Sequence, residues 1–470
     1  MNDPNNASAY PPPPSSSDEG SLAVVSPTIG EHEEVFLTID ASGIVRAFNG
    51  HVDLGTGIRT ALTQIVAEEL DLAPERIEMV LGDTERTPDQ GPTIASETIQ
   101  VAAVPLRRAA AQARRHLAEK AAALLGVEAE TLRLVDGLFF TDDASNRRIS
   151  FTELVAGETI RLQLVPDDRH LKPASAYTLV GKSLPRVDIP VKAVGSFTYV
   201  HDVRVPGMLH GRVVRPPYAG RDSGDFIGTS LIAVEAESIA HLPGIVAVVC
   251  EGDFVGVVAE REDQADAAMH ALVVRWHDVP PLPDMGDIAA TLRAHPSTPR
   301  TLLDRGDVDA ALASAGTRLK RAYVWPYHMH ASIGPSCSVA DFAGDRLVLW
   351  SGTQNPHMLR ADLAKLLDLP ESHVDIRRHE AAGCYGRNCA DDVGCDAALL
   401  SRAVGRPVRV QLTREQEHAW EPKGAAQLME VDGGLGPGGT LAAYDYQSRY
   451  PSNRGPNLAL LLTGVTPPTP

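Results

Sequence analysis

The stretch GHVDLGTGIRTALTQIVAEEL, from Gly50 to Leu70, combines the end of a predicted strand, two glycines and a helix with apolar residues at helical spacing. Glycines at the start of a helix leave backbone N–H groups open to an anion. The candidate ligand-contacting residues of this first glycine loop are Gly55, Thr56 and Gly57, followed by the polar side chains of Thr60 and Gln64. An ordinary tight turn between strand and helix explains the same feature equally well. The loop is not a dinucleotide fingerprint, because Thr60 stands where the third glycine of G-x-G-x-x-G belongs.

Two further loops, each between a predicted strand and a predicted helix, carry glycine and small polar residues. The second glycine loop, GPTIASETIQ, leads into a long Ala-rich helix, which we predict from Ser96 to Leu125 with a kink or late start at Pro105. Helix capping alone accounts for Ser96. The third glycine loop, AGCYGRN, has two glycines that admit a close ligand, and its Arg387 is placed to pair with a phosphate.

Composition limits the class of protein. The 470 residues, 43% hydrophobic and 22% charged, predict two to four globular domains. A formal net charge of −18 argues against nucleic acid as a partner, and no apolar run is long enough for a transmembrane segment. Residues 1–30 are predicted to form a disordered tail without an export signal. The five cysteines are odd in number, and their spacing fits neither a zinc site nor an iron–sulfur set, so we expect reduced, mostly buried thiols.

Proline-rich interruptions divide the chain into three folded regions. The first spans 31–165 and the last 301–470, and both contain a strand, a glycine loop and a helix in that order. Between them, 191–280 is predicted to form a small α+β module, flanked by linkers at 166–190 and 281–300.

Two histidines, His328 and His330, alternate in the predicted strand TRLKRAYVWPYHMH and should therefore face the same side. As a metal-binding pair they lack an evident third ligand. A buried polar face near a cavity is the preferred interpretation.

Considered together, these stretches resemble the molybdopterin-binding large subunits of the xanthine dehydrogenase/aldehyde oxidase family, in particular the branch with nicotinate dehydrogenase and isoquinoline 1-oxidoreductase. The stretches that carry the resemblance are DLGTGIRTALTQIVAEEL, GDTERTPDQGPTIASETIQ, PRVDIPVKAVGSFTYVHDVRVPGMLHGRVVRP, SGTQ at Ser351–Gln354, and EAAGCYGRNCADD. They are spread over most of the chain.

The resemblance implies an α+β fold in which mixed α/β molybdopterin-binding domains flank a smaller α/β hammerhead domain. The implied order is permuted. Residues 31–165 correspond to part of the second molybdopterin-binding domain, 191–280 to the hammerhead, and 301–470 to an incomplete first molybdopterin-binding domain.

The resemblance also assigns residues to a molybdenum cofactor, bound as molybdopterin or its cytosine dinucleotide. Thr56 stands where family members commonly have glutamine. His328 falls where many members place a glutamine beside a molybdenum oxo ligand, and a neutral imidazole donates through one nitrogen only. No side chain is implied as a ligand of the metal itself. The implied cofactor contacts are Gly55, Thr56, Gly57, Ala95, Ser96, Glu97, Thr98, His328, Gly383, Tyr385, Gly386 and Arg387.

The implied activity is that of a molybdenum hydroxylase, which adds water-derived oxygen to an N-heteroaromatic substrate such as nicotinate, or to an aldehyde. In the family the general base is a glutamate of a G-x-G-E-P-type loop, for which Gly436–Pro470 offers no match. We therefore expect a C-terminally truncated chain without an assigned catalytic residue. The open alternatives are a catalytically inactive remnant or interaction subunit, and a nucleotide- or phosphate-binding α/β protein.

The resemblance further implies partners. The chemistry needs [2Fe–2S] clusters that these cysteines cannot hold, so a small iron–sulfur subunit is implied. Members of this branch often pass electrons to a c-type cytochrome, and the chain has no C-x-x-C-H motif of its own. The implied location is cytoplasmic, with attachment to the inner membrane only through partners.

Overall fold

The computed structural model describes residues 21–26, 33–143, 146–219, 221, 223–451 and 455–468. Two large sheets, of five and seven strands, each pack their apolar residues against helices. The chain is thus a mixed α/β structure, as predicted.

The first region supplies the five-stranded sheet. The described residues of this region form eight strands in all: β1 (Ser21–Val25), β2 (Val35–Ile39), β3 (Val45–Asn49), β4 (Ile77–Leu81), β5 (Leu132–Val135), β6 (Leu138–Thr141), β7 (Arg148–Ser150) and β8 (Thr159–Gln163). The large sheet has the order β4-β3-β2-β1-β8, and β5, β6 and β7 form a separate small sheet. β2 and β3 are an antiparallel hairpin, whereas β3 and β4 are parallel, because a helix crosses over between them.

The prediction of a disordered tail over 1–30 is wrong for Ser21–Val25. These residues form β1, which pairs antiparallel with β2 and parallel with β8. Its Leu22 is fully buried in the core of the sheet. The segment SLAVV is short and follows a long polar stretch, so its apolar pattern alone did not reveal a strand. Residues 1–20 and 27–30 lie outside the described residues.

Three helices belong to this region: α1 (Ile58–Leu70), α2 (Ala103–Leu125) and α3 (Phe151–Val155). α1 begins where the pattern predicts. The long helix does not begin at Ser96, because a π-helical turn at Thr98–Ala102 precedes α2. Pro105 therefore lies in the first turn of α2, where a missing backbone N–H costs little. The late start predicted from Pro105 is confirmed.

The middle and last regions share one sheet. The middle region contributes β9 (Leu209–Val214), β10 (Leu231–Glu235), β11 (Ile245–Glu251), β12 (Phe254–Ala259), β13 (Val273–Trp276), α4 (Ile189–Ala193) and α5 (Glu262–Ala271). The last region contributes β14 (Thr317–Trp325), β15 (Cys337–Ala343), β16 (Arg346–Ser351), β17 (Val374–Arg378), β18 (Val408–Gln411), β19 (Gln427–Leu435) and β20 (Leu441–Arg449). Its helices are α6 (Ile288–Ala294), α7 (Val308–Ser314), α8 (Pro356–Leu367), α9 (Asp392–Val404), α10 (Arg414–Trp420) and α11 (Leu458–Leu462).

The seven-stranded sheet has the order β11-β12-β9-β18-β15-β16-β17. Its link between regions is the parallel pairing of β9 with β18. The module predicted at 191–280 is therefore not structurally separate, since three of its strands complete the sheet of the last region and only β10 and β13 pair apart. Its assignment as a hammerhead domain stays a prediction.

The predicted linkers differ from each other. The linker at 281–300 contains α6. The linker at 166–190 is held against α1 in part by the buried carboxylate of Glu68. Glu68 accepts the backbone N–H groups of Thr178, Leu179 and Val180 at 2.9, 2.6 and 2.9 Å.

Candidate functional site

Each of the three glycine loops follows the carboxyl end of a strand that pairs in parallel with a neighbour. β3 leads into the first loop, β4 into the second, and β17 into the third. β3 pairs in parallel with β4, and β17 pairs in parallel with β16. The two edges are joined by hydrogen bonds: the N–H of Ile376 donates to Thr84 Oγ1 at 3.2 Å, and the N–H of Thr93 donates to the Gln354 carbonyl at 2.8 Å. Ligands of α/β proteins commonly bind at such edges.

The first glycine loop is built around the buried carboxylate of Asp53. It accepts the backbone N–H groups of Gly55 at 2.9 Å, Gly57 at 3.2 Å and Arg59 at 3.1 Å. The expectation that these N–H groups are open to an anion is therefore wrong. Gly55 and Thr56 are exposed, and no described atom lies within 4 Å of the position that a Cβ on Gly55 would take. A ligand can thus lie against the loop surface.

The polar helix residues next to this loop do not face a ligand. Thr60 is buried, and its Oγ1 accepts the N–H of Val187 at 3.0 Å. Gln64 donates its amide to the carbonyl oxygen of Lys182 at 2.9 Å. Arg186, in the same linker, donates to the carbonyl oxygen of Gly55 at 2.9 Å. These side chains fix the linker to the loop and α1, which sequence spacing could not show.

The second glycine loop holds two consecutive non-glycine residues in the left-handed region, Ala95 at φ 51° and Ser96 at φ 59°. Such conformations cost free energy and are concentrated at functional sites, as are single π-helical turns. Ala95, Ser96 and Glu97 are exposed next to the π-helical turn. The loop therefore presents backbone and small side chains to a ligand.

Thr98 faces inward instead. Its Oγ1 lies 2.8 Å from Nδ1 of the buried His51, whose Nε2 lies 3.2 Å from the Gln90 carbonyl oxygen. A carbonyl only accepts, so Nε2 carries the proton and Nδ1 accepts the Thr98 hydroxyl. Burial lowers the pKa of His51, which keeps the imidazole neutral. Thr98 thus anchors the second glycine loop to His51, which precedes the first glycine loop.

The third glycine loop is strained. Gly383, Tyr385 and Gly386 have φ values of 94°, 57° and 103°. The Tyr385 side chain is 62% exposed. A Cβ on Gly386 would lie 3.0 Å from the ring of His330, so glycine is required there by close approach as well as by backbone conformation.

The prediction that His328 and His330 alternate on one strand is wrong. β14 ends at Trp325, before a proline, and His328 forms only an isolated bridge with Gly424. His328 is exposed and its ring lies 5.0 Å from that of Trp325. Its assignment to the cofactor stays a prediction. His330 is the histidine beside the third loop, and among described residues its buried Nδ1 has no partner.

The prediction that Arg387 is available to a phosphate is wrong. Its side chain is 1% exposed and is enclosed by carboxylates. Nε donates to Glu417 at 2.6 Å and Nη2 donates to Asp392 at 2.9 Å. Arg387 therefore stabilises the underside of the loop, and no residue near it in the chain points to the distant Glu417 partner.

The buried charges extend to a second arginine. Arg215 donates to Asp396 at 3.0 Å and stacks over Trp420 at 5.9 Å. Burial would raise the pKa of Asp392, but the charges of Arg387 and Arg215 outweigh it and hold that pKa below its ordinary value. Burial raises the pKa of Asp396 to about 6 despite Arg215.

Gln354 is the residue that joins the second and third loops, and residue types alone did not single it out. It is buried, and its Nε2 donates to the Thr93 carbonyl at 2.8 Å. Its Oε1 accepts the Cys384 thiol at 2.9 Å, and its backbone N–H donates to the Asn388 carbonyl at 3.1 Å. The signal was its place in the SGTQ stretch that follows β16.

The five cysteines are free, and three of them, Cys337, Cys384 and Cys395, are buried. Within the described residues, no group of three or more His, Cys, Asp or Glu side chains is arranged to hold a metal ion. The same part of the chain contains no helix long and apolar enough to cross a membrane.

Comparison with known proteins decides the family. Two family models, both described as molybdopterin cofactor-binding domain, match residues 19–200 and 294–458. A nicotinate dehydrogenase subunit of Pseudomonas putida is 62% identical over 448 residues, which are 95% of this chain. The chain belongs to the xanthine dehydrogenase/aldehyde oxidase family of molybdopterin-binding subunits. The beta subunit of isoquinoline 1-oxidoreductase of Brevundimonas diminuta, also similar, is 27% identical over 463 residues and 88% of the chain.

The chain spans only part of these family members, namely 38% of the Pseudomonas putida protein and 57% of the Brevundimonas diminuta protein. Among solved structures, aldehyde oxidoreductase from Desulfovibrio gigas is similar with 18% identity and a TM-score of 0.49, covering 59% of this chain and 35% of that one.

The residues fit a pterin cofactor. The surface next to Gly55 is open, as is that next to Gly91, where a Cβ would likewise meet no described atom within 4 Å. Left-handed backbone conformations occur at Ala95 and Ser96 in the second loop and at Tyr385 in the third. The domain matches and the loop geometry therefore indicate the same molybdenum–pterin cofactor.

Proposed function

We propose that this chain is the molybdopterin-binding part of a molybdenum hydroxylase that oxidises an N-heteroaromatic carboxylate such as nicotinate. The observation that carries the proposal is that Gln354 joins the second and third glycine loops, while the His51–Thr98 hydrogen bond ties the second loop to the first, within the two matched domains. The substrate class comes from the Pseudomonas putida relative, which is a nicotinate dehydrogenase subunit. An aldehyde substrate is the alternative within the same chemistry.

When bound, the cofactor supplies the two-electron oxidation and the activated water oxygen, and the protein supplies binding, orientation and electrostatics. Gly55 and Thr56 offer a flat loop surface, and Ala95 with Ser96 offers a second. Gln354 keeps the second and third loops at a fixed separation through its two side-chain hydrogen bonds. Neutral His51 holds Thr98, and with it the π-helical turn, against the first loop.

On the third loop, Tyr385 projects its ring from a left-handed backbone position. An exposed aromatic ring beside the proposed cofactor surface would favour planar substrates. His330 lies beside the same loop, with its ring next to Gly386.

The remaining parts of the proposal concern partners and location. Electrons leave to a small [2Fe–2S] subunit and from there to an acceptor such as a c-type cytochrome. The Pseudomonas putida relative is itself one subunit of a dehydrogenase, which supports the existence of partner subunits. We propose a cytoplasmic location, with membrane attachment only through partners.

The test is the molybdenum content per chain, measured by elemental analysis on the full 470-residue chain purified alone and with its iron–sulfur partner subunit. We expect near-stoichiometric molybdenum in at least the second sample, together with nicotinate oxidation by an artificial electron acceptor. Oxidation of aldehydes but not of nicotinate would show that aldehydes are the substrate class. Absence of molybdenum from both samples would overturn the proposal.

A further inference from the structure

Four charged side chains form a continuous path of ion pairs between the first and third glycine loops. Arg186 donates to the carbonyl oxygen of Gly55 at 2.9 Å and through Nη2 to Asp188 at 2.5 Å. Lys192 donates from Nζ to Asp188 at 2.6 Å and to Glu380 at 2.7 Å. Each step of the path is thus a direct hydrogen bond, and Arg186, Asp188, Lys192 and Glu380 are together called the loop tetrad.

The local sequence brings three members of the tetrad together. α4 begins directly after Asp188 and places Lys192 four residues later, on the same face of the helix. Arg186 stands two residues before Asp188 and reaches the same carboxylate. The N–H of Val187 donates to Thr60 Oγ1 at 3.0 Å, which holds this segment against α1. The three groups are therefore fixed beside the first loop.

The fourth member, Glu380, comes from a distant part of the chain. It is the second residue after β17 and precedes Gly383 of the third glycine loop by three residues. Its backbone carbonyl accepts the N–H of Val200 at 2.9 Å. Among the described residues, Lys192 is the only cation with a nitrogen within 4.0 Å of its carboxylate. The charge that leads into the third loop is therefore compensated from the segment that holds the first loop.

The centre of the tetrad is shielded from water. The side chains of Lys192 and Glu380 are 14% and 11% exposed, and that of Asp188 is 5% exposed. Lys192 Nζ also lies 4.8 Å from the centre of the Phe197 ring. Ion pairs that are partly excluded from water are screened less than exposed ones, and removal of one partner leaves the other charge uncompensated. Loss of Lys192 would therefore break the path and leave Glu380 without a counterion.

The tetrad completes the connections among the three glycine loops. Gln354 joins the second and third loops, and the hydrogen bond between His51 and Thr98 ties the second loop to the first. The tetrad is the corresponding link between the first and third loops. With all three links in place, movement of one loop relative to another requires that a polar contact shielded from water be broken.

We propose that Lys192 is a positioning residue that fixes the separation of the first and third glycine loops. It acts through the two carboxylates that it bonds, Asp188 toward the first loop and Glu380 toward the third. The inference rests on the proposed function, because the surface between these loops is the proposed cofactor site. A purely structural role, in which the tetrad only attaches the linker at 166–190 to the rest of the chain, is the alternative that the experiment must separate.

The experiment compares Lys192→Met with the conservative variant Lys192→Arg and the control Lys120→Met in the full chain. Lys120 pairs with Glu158 at the same distance, 2.7 Å, but lies in α2 and joins no glycine loop. Backbone hydrogen exchange is measured on chain produced without molybdate, so that loss of cofactor does not affect it. Molybdenum per chain is measured separately, on protein from a host that makes the cofactor. Exchange in β3, within the sheet core, reports global unfolding.

We expect Lys192→Met to accelerate exchange in the third glycine loop at least about tenfold more than in β3, and to lower molybdenum content at least about fivefold. Lys192→Arg should restore both values because it keeps the charge, and Lys120→Met should change neither. Addition of Glu380→Gln to Lys192→Met should recover part of the loss, because no uncompensated carboxylate then remains.

The outcomes separate this inference from the proposed function. Acceleration confined to the linker at 166–190 would overturn the positioning role, and so would wild-type exchange and molybdenum content in Lys192→Met. Both results would leave the proposed function standing. Accelerated exchange in the third loop of Lys192→Met, in a chain whose wild type never holds molybdenum, would support the link between the loops and reject the proposed function.

Discussion

Replacement of Arg387 by methionine tests whether the third glycine loop rests on buried charge. The substitution keeps most of the side-chain volume but leaves Glu417, fully buried, and Asp392, 3% exposed, without the guanidinium that both contact. Breaking a buried ion pair by removing one partner costs about 3 to 5 kcal/mol. We therefore expect a loss of this size in the free energy of unfolding, a large share of the total for an ordinary protein.

The assay is urea unfolding of the full chain followed by circular dichroism, with Arg402→Met as control. Arg402 lies in α9 and forms a bidentate pair with Glu251, but both side chains are about one third exposed, so its removal should cost at most about 1 kcal/mol. The reasoning is refuted if the two variants lose equal stability.

A pH series adds a second check. The pKa of Asp392 is held below its ordinary value, so the stabilisation is present above about pH 4 and disappears as pH falls through that pKa. The difference between wild type and Arg387→Met should therefore narrow in acid.

Three further predictions concern single groups. Gly386→Val should abolish molybdenum retention without unfolding the chain, because its Cβ would meet the His330 ring at 3.0 Å, whereas Gly126→Val, with open space around it, should retain the metal. Asp53→Ala should leave three N–H groups without their acceptor and accelerate hydrogen exchange at Gly55, Gly57 and Arg59, and unchanged exchange would show that the carboxylate does not hold the loop. The pKa of Asp396 is raised to about 6, so the folded chain binds more protons than the unfolded chain between about pH 4 and 6. The free energy of unfolding should therefore fall as pH rises across that window. Asp396→Asn should make this fall less steep, and a fall of the same slope in the variant would exclude Asp396 as its source.

Local signals in the sequence were enough for the elements around the first loop. The helical spacing after Gly57 placed α1, and Pro105 predicted the late start of α2. The resemblance placed the three loops in one site, and the domain matches confirm the family. Both helix predictions succeeded because each rests on residues that are neighbours in the chain.

The wrong predictions concern residues whose hydrogen-bond partners are distant in the chain. Arg387 looked available because Glu417 is 30 residues away, and Thr60 looked available because Val187 is 127 residues away. The pairing of β1 with β8 and of β9 with β18 joins strands from distant parts of the chain, and no local pattern encodes it. Asp53 could have been foreseen, since an Asp two residues before a glycine commonly accepts backbone N–H groups of the following turn.

The pairing of β9 with β18 has a consequence for synthesis of the chain. Arg212 of β9 and Gln411 of β18 are in contact but 199 residues apart. At ribosomal rates of about 5–20 residues per second, β9 is made roughly 10 to 40 s before its neighbour exists. From the completion of β12 until β18 is made, β9 can pair only with β12 and presents an unpaired edge. The nascent chain is then most exposed to wrong strand pairing, and chaperone dependence should be concentrated in the same interval.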